Sequence, residues 1–317
     1  MYLAAMSAVS IHNLANNIKE VTKTYNSLDI HTSNTTNWTL TDNDRLINMF
    51  PLCNGSRQSP IGLEYTNTKE NLNLRLGLTA YERPISGFLA NRFPTFRLIP
   101  FSYEWPRPSA LISQTIARSF NPYADSHFTL SHIEFRWGED VEIKQAQGTG
   151  LHTLDNVSYP VEMHFVHINT AYTNLEEANS KPDGLLILSV LVVPSTHESY
   201  IFDRILDELS TLTEHNQQVN FNEESTWRSL LPQDTSRFYR YFGSTMTPPC
   251  YESVQWIIFE EKLKLGLKQL KRLTRFRFLG KVLGSDKEID WSKQLRPIQK
   301  TGDRVVERSF RRVHRER

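Results

Sequence analysis

Two short stretches hold the residues best placed to do chemistry. His132-Ile-Glu-Phe-Arg-Trp137 and Val161-Glu-Met-His-Phe-Val-His-Ile168 both alternate polar and apolar types, the pattern of strands with two unlike faces. In the first, His132, Glu134 and Arg136 share a face while Ile133, Phe135 and Trp137 share the other. In the second, Glu162 and His164 share a face and His167 points the opposite way. Laid side by side, the strands bring His132, Glu134, Arg136, Glu162 and His164 towards one polar pocket. Imidazoles and carboxylates are zinc ligands. A guanidinium is not, because it has no lone pair to offer and stays protonated. A carboxylate and a guanidinium two residues apart on one face can instead form an ion pair, and buried charge without a partner is costly. The expectation is therefore a Glu134–Arg136 pair, with His164 and Glu162 hydrogen-bonding around it. The rival is a displaced metal site on His132, Glu134 and His164.

The elements that must carry these residues are short strands broken by turns. Strands are predicted at 72–76, 95–99, 184–193 and 254–259. The run at 185–193 is apolar on both faces, as in a strand buried through the centre of a sheet. Helices are predicted over 199–212 and 261–273. The 317 residues contain no Pro/Gly/Ser-rich linker and are 39% hydrophobic, enough for one large domain. No stretch approaches the roughly 18 apolar residues of a membrane helix. The net charge of +1 argues against a general affinity for polyanions.

The α-type carbonic anhydrase family carries His-Phe-His-Trp-Gly on its zinc strand and a third ligand within Glu-Leu-His-Leu-Val-His-Trp-Asn. This chain has Glu134-Phe-Arg-Trp-Gly138 and Glu162-Met-His-Phe-Val-His-Ile-Asn169. Arg57-Gln-Ser-Pro-Ile61, Pro182-Asp-Gly-Leu185, Gly243-Ser-Thr-Met-Thr-Pro-Pro249, Trp256 and Leu295-Arg-Pro-Ile-Gln299 follow in family order. The resemblance covers residues 38–306. It implies an α+β, mainly β fold: a single domain with a large twisted, mostly antiparallel central sheet and small surface helices.

The resemblance also implies that the zinc site is altered. Such a site needs three neutral imidazoles and an open position, where zinc lowers the pKa of water from 15.7 to about 7. The former ligand positions are Glu134, Arg136 and His164, and only His164 is retained. The threonine that orients the nucleophile corresponds to Met246, and its partner glutamate to Leu151 in Gly148-Thr-Gly-Leu-His-Thr-Leu-Asp155. The proton-shuttle histidine falls near Arg92 or Phe93. The expectation is a carbonic-anhydrase-related protein with no catalytic residues, no enzyme activity and no cofactor, the ancestral zinc being lost. The alternative is a divergent zinc carbonic anhydrase with an altered metal site. His132-Ile-Glu134 also echoes the His-x-Glu of zinc deaminases, but Pro249-Cys250-Tyr-Glu-Ser does not complete the Pro-Cys-x-x-Cys they need.

The remaining expectations concern the surroundings. Cys53 and Cys250 are the only cysteines, and in secreted members of the resembled family their positions are joined by a disulfide. Sequons stand at Asn34, Asn37, Asn54 and Asn156. Together they predict secretion. Residues 1–37 are read as a degenerate signal peptide or a flexible segment, since the apolar run at 2–11 lacks a preceding basic residue. Residues 307–317 are read as a basic tail. Lys264, Lys268, Lys271, Arg272 and Arg275 belong to a basic stretch without acids and are candidate polyanion contacts. The predicted role is an extracellular binding domain for a protein or a glycosaminoglycan, with no nucleic acid and no membrane span. His167, Trp137 and Trp256 are expected to be structural. Phe96, Phe101, Tyr103 and Trp105 lie in and just before an insertion at 100–108, expected to be a covering loop, with a binding lip as the alternative.

Overall fold

A computed structural model describes residues 43–92, 95–101, 106–113, 127–138, 144–145, 151–213, 216–277, 279–281, 288–290 and 295–312. Thirteen of the described strands form one sheet. Its central strands, in chain order, are β1 Pro84–Arg92, β2 Thr95–Pro100, β3 His127–Trp137, β4 Val161–Asn169, β5 Leu185–Ser195, β6 Gln218–Thr226, β7 Phe238–Gly243 and β8 Val254–Phe259. Across the sheet they run β6-β1-β2-β3-β4-β5-β8-β7. Neighbours are antiparallel except β5 and β8, which are parallel. The architecture is the mainly β, single-domain one expected, with a few short helices.

Alternation along β3, β4 and β5 divides the core in two. Ile133, Phe135, Trp137, Met163, Phe165, Leu186, Leu188 and Val190 face one cluster. Helix α1, Tyr200–Leu209, closes that cluster with Ile201, Phe202, Ile205, Leu206 and Leu209, an apolar stripe at helical spacing. Val166, Leu185, Ile187, Leu191 and Trp256 belong to the cluster on the other face. β5 is therefore apolar on both sides because both its faces are covered.

The helix expectations need correcting. α1 is shorter than 199–212. Only Leu267–Leu273 of the second segment is helical (α2). Leu263–Gly266 is instead a strand, paired parallel with the end of β5. Lys262-Leu-Lys-Leu265 alternates with period two, and a strand buries its leucines on one face where a helix would scatter them. The strand expected at 72–76 lies at Arg75–Thr79, after a turn in which the Asn71 side chain accepts from the Asn73 backbone N–H. Glu307–Arg308 is a strand between β7 and Lys69–Glu70. Arg308 and Arg311 both reach Glu70; residues 313–317 lie outside the described residues.

Cys53 and Cys250 form the disulfide, their Cα atoms 4.9 Å apart and 197 residues apart in sequence. Closing a loop that long removes unfolded-state entropy worth about 3–5 kcal/mol. Arg296 lies beside it, fully buried, donating to the Cys53 carbonyl and the Gln58 side chain at 2.7 Å each.

Candidate functional site

The antiparallel register of β3 and β4 sets Glu162 opposite Arg136 and His164 opposite Glu134. On the other side β2 sets Arg97 opposite Glu134. Glu134 is thereby gripped from two strands: Arg97 Nη2 lies 2.7 Å from Oε1 and Arg136 Nη2 lies 3.0 Å from Oε2. The Glu134–Arg136 pair is present, but Arg97 makes it a triad. His132 Nε2 adds a contact of 3.2 Å to Oε1. Burial pushes the Glu134 carboxyl up, and the guanidiniums of Arg97 and Arg136 more than reverse this, holding it well below the usual carboxylate range. Burial and then Arg97 lower the His132 imidazole to about 4.

A second network lies on the same sheet face. Glu162 is fully buried. Its Oε1 stands 2.6 Å from His152 Nδ1, 2.8 Å from His164 Nε2 and 2.7 Å from Ser189 Oγ. Its Oε2 accepts from the His152 backbone N–H at 2.8 Å. Burial pushes this carboxyl up, and His152 and His164 draw it well below its ordinary range. An ionised Glu162 can only accept, so His152 donates from Nδ1. The opposite nitrogen of His152 lies 2.6 Å from the Tyr241 hydroxyl, which is itself 2.9 Å from Ser59 Oγ. Ser59 Oγ also accepts from the Ser244 backbone N–H. The chain of hydrogen bonds thus runs from Ser59 through Tyr241, His152 and Glu162 to His164.

His164 and the Glu134 triad line a common cleft of about 70 Å³, room for a small ligand or a few waters. Thr245 and Thr247 line it too, and Val166, Ile187 and Trp256 supply apolar wall. Met246 lies at its edge, nearly buried, while Leu151 is fully buried beside His152. His132 and Glu134 are together, but His164 turns to Glu162, so His132, Glu134 and His164 do not form the displaced metal site considered above. His167 lies on the opposite face, 2.7 Å from the Tyr81 hydroxyl and 2.8 Å from the Phe165 carbonyl, and burial lowers it to about 4.

The peripheral candidates are spread over the surface. Asn54 and Asn156 are exposed, while Asn34 and Asn37 lie outside the described residues. Lys264, Lys268, Lys271, Arg272 and Arg275 are exposed on and around α2. Arg272 is partly neutralised by Asp207 at 2.7 Å and Asp203 at 3.6 Å. Phe96 and Phe101 are buried, whereas Phe93, Tyr103 and Trp105 lie outside the described residues. Trp137 packs 5.4 Å from Phe96, and Trp256 meets His164 edge-on at 5.0 Å.

Two residues of the site escaped the sequence reading. Arg97 was signalled only by a lone charge in Thr95-Phe-Arg-Leu-Ile99. His152 stood within the Gly148–Asp155 string beside Leu151, where only Leu151 was given a role. Yet His152 completes a group that could hold a metal among the described residues: the ligand atoms of His152, Glu162 and His164 all lie within 4.8 Å of one another. Two imidazoles and one carboxylate are a zinc donor set. The separations of 2.6 and 2.8 Å within it are hydrogen-bond lengths, so an incoming metal must replace the protons that hold the group together.

The sequence model described as "Eukaryotic-type carbonic anhydrase" matches residues 13–310. Carbonic anhydrase 6 of Bos taurus is 30% identical over 82% of this chain and 75% of its own length. Carbonic anhydrase 6 of Homo sapiens is 28% identical over 71% of this chain and 68% of its own. Carbonic anhydrase 15 of Mus musculus is 31% identical over 69% and 65%, respectively. The expectations of no enzyme activity and no cofactor are corrected on two findings. The relatives are named as enzymes, of a family that normally uses zinc, and His152, Glu162 and His164 could hold a metal. With the match spanning most of its length, the chain belongs to the eukaryotic-type carbonic anhydrase family.

Proposed function

We propose that the chain is a divergent carbonic anhydrase, hydrating CO2 at an altered zinc site formed by His152, Glu162 and His164. The observation that carries this reading is the gathering of those three donors within 4.8 Å, with His164 also lining the cleft. The family's own ligand positions do not fit the ion, since Glu134 is held by two guanidiniums. Zinc supplies Lewis acidity, bringing the pKa of water down to about 7. The chain's residues supply the rest. Glu162 fixes both imidazole rings, and Ser189 helps fix Glu162. His152 meets Glu162 through Nδ1 and the Tyr241 hydroxyl through its other nitrogen, so the ring is fixed from both sides and only the nitrogen not bound to the metal would carry a proton. Val166, Ile187 and Trp256 form an apolar wall suited to CO2.

The test is stopped-flow CO2 hydration with zinc supplied, on the parent protein and on Glu162→Gln and His164→Ala. Hydration above the buffer rate that falls at least about tenfold in both variants supports the reading. A rate equal to buffer in the parent chain rejects it.

Secretion belongs to the same proposal. It is supported by the disulfide and the exposed sequon residues Asn54 and Asn156. A second reading concerns an extracellular partner: Lys264, Lys268, Lys271 and Arg275 expose four positive charges around one short helix, a surface suited to a sulfated glycosaminoglycan. Retention on a heparin column beyond that of a size-matched neutral protein, lost when the four are changed to Gln, supports it. Elution with that control contradicts it.

A further inference from the structure

Away from the cleft, the basic surface around α2 also carries two exposed apolar side chains. Single ones need no explanation on a protein surface. Tyr200 and Leu267, 66% and 44% exposed, are set on two helix starts that abut. Tyr200 is the first residue of α1 and Leu267 the first of α2. Gln269 bonds both the N–H and the carbonyl of Ser199, and a Cβ on Gly266 would meet Glu198 Cγ at 2.7 Å. Lys268 and Lys271 share α2 with Leu267, Lys264 precedes it on the strand Leu263–Gly266, and Arg275 follows it. These four cations have no ion pair among the described residues, while Arg272 takes up Asp203 and Asp207. Glu198 is exposed at the junction and offsets part of the charge. A sulfated chain in solution engages the cations and leaves Tyr200 and Leu267 in water. A bilayer uses both kinds of group: lysines meet anionic headgroups, and an aromatic ring and a leucine enter the boundary between headgroups and acyl chains. No helix among the described residues is long and apolar enough to cross a membrane, so a contact of this kind is peripheral.

We propose that this surface docks on a membrane displaying sulfated saccharide headgroups, with Tyr200 and Leu267 entering the interface and Lys264, Lys268, Lys271 and Arg275 facing the sulfates. It rests on the reading of the basic surface as a contact for sulfated saccharide, and adds that the saccharide is carried on lipid. It is independent of the metal site.

The experiment is co-sedimentation of the full chain with phosphatidylcholine vesicles, with and without sulfatide, beside its retention on heparin. The parent is expected to sediment with the sulfatide vesicles and to stay in solution with phosphatidylcholine alone. The variant Tyr200→Ser/Leu267→Ser is expected to bind the sulfatide vesicles about tenfold or more weakly and to keep the parent's retention on heparin. Changing Lys264, Lys268, Lys271 and Arg275 to Gln is expected to lower both. The split in the apolar variant matters, because damage to the fold would lower both there too. Both positions are exposed, so the variant is expected to unfold at the parent's midpoint. A parent that does not sediment with sulfatide vesicles overturns the proposal. So does an apolar variant that binds them as tightly as the parent, and with heparin retention intact that outcome leaves a soluble polysaccharide as the partner. An apolar variant that loses heparin retention as well also overturns it. If the Gln changes alter neither measurement, the reading of the basic surface itself falls, and the proposal with it.

Discussion

At the scale of single residues, the site is governed by how buried charge finds partners. Glu134 has Arg97, Arg136 and His132, and Glu162 has His152, His164 and Ser189. Removing one member of such a set leaves the others buried without compensation. Glu134→Ala should therefore cost about 3–5 kcal/mol of stability by denaturant unfolding. A loss under about 1 kcal/mol would show that solvent already serves the two guanidiniums. The buried histidines give a pH signature. His132 and His167 are lowered from 6.5 to about 4, so the unfolded chain takes up their protons first. Their contribution is whole above the unfolded value and is lost as pH falls towards 4. Glu134 and Glu162, held low in the fold, add a further loss as pH drops below the ordinary carboxylate range. The denaturation midpoint should fall between pH 7 and pH 4.5. A midpoint that holds constant over that span contradicts these assignments.

At the scale of elements, the alternation of β3 and β4 was legible from polarity alone. It placed His132, Glu134, Arg136 and His164 on the cleft and His167 on the far side, whereas Glu162, expected in the same pocket, is fully buried and does not line it. It did not reveal which strand would lie against β3 on its other edge, and so Arg97 went unseen. Pairing between strands distant in sequence leaves no local mark. His152 was hidden for the same reason, as its role depends on Glu162 ten residues on and Tyr241 far beyond. The segment 261–273 shows the reverse: Lys262-Leu-Lys-Leu265 carried a strand period that its helix-forming residue types obscured. Gln269 ties the elements of this region together. Its side chain accepts from the Ser199 N–H at 2.9 Å and donates to the Ser199 carbonyl at 2.8 Å, joining the start of α1 to α2. Gln269 is 1% exposed, so Gln269→Ala should cost about 1–3 kcal/mol. Faster amide exchange should appear at the first turn of α1 by hydrogen-exchange mass spectrometry. An unaltered exchange pattern would mean that the packing of Ile201 and Phe202 alone holds the helix.

At the scale of the whole molecule, one sheet carries the cleft, and the disulfide ties the loop between β7 and β8 to the turn at residues 51–54. The Cys53–Cys250 link crosses 197 residues. The double variant Cys53→Ser/Cys250→Ser should lose about 2–5 kcal/mol, seen as a lower midpoint in urea. A midpoint equal to that of the parent would mean that Arg296 and the neighbouring hydrogen bonds suffice. Family membership was readable because its motifs are local strings that keep their order along the chain. Metal capacity was not, because it rests on His152, Glu162 and His164 coming together in space. The central claim is that this group replaces the family's ligand set, and zinc content tests it most directly. The full chain is dialysed against micromolar zinc, washed and measured by elemental mass spectrometry, beside His152→Ala and Glu162→Gln. Close to one zinc per chain is expected in the parent, with a clear loss in both variants. Zinc near zero in the parent, or near one in all three, would contradict it.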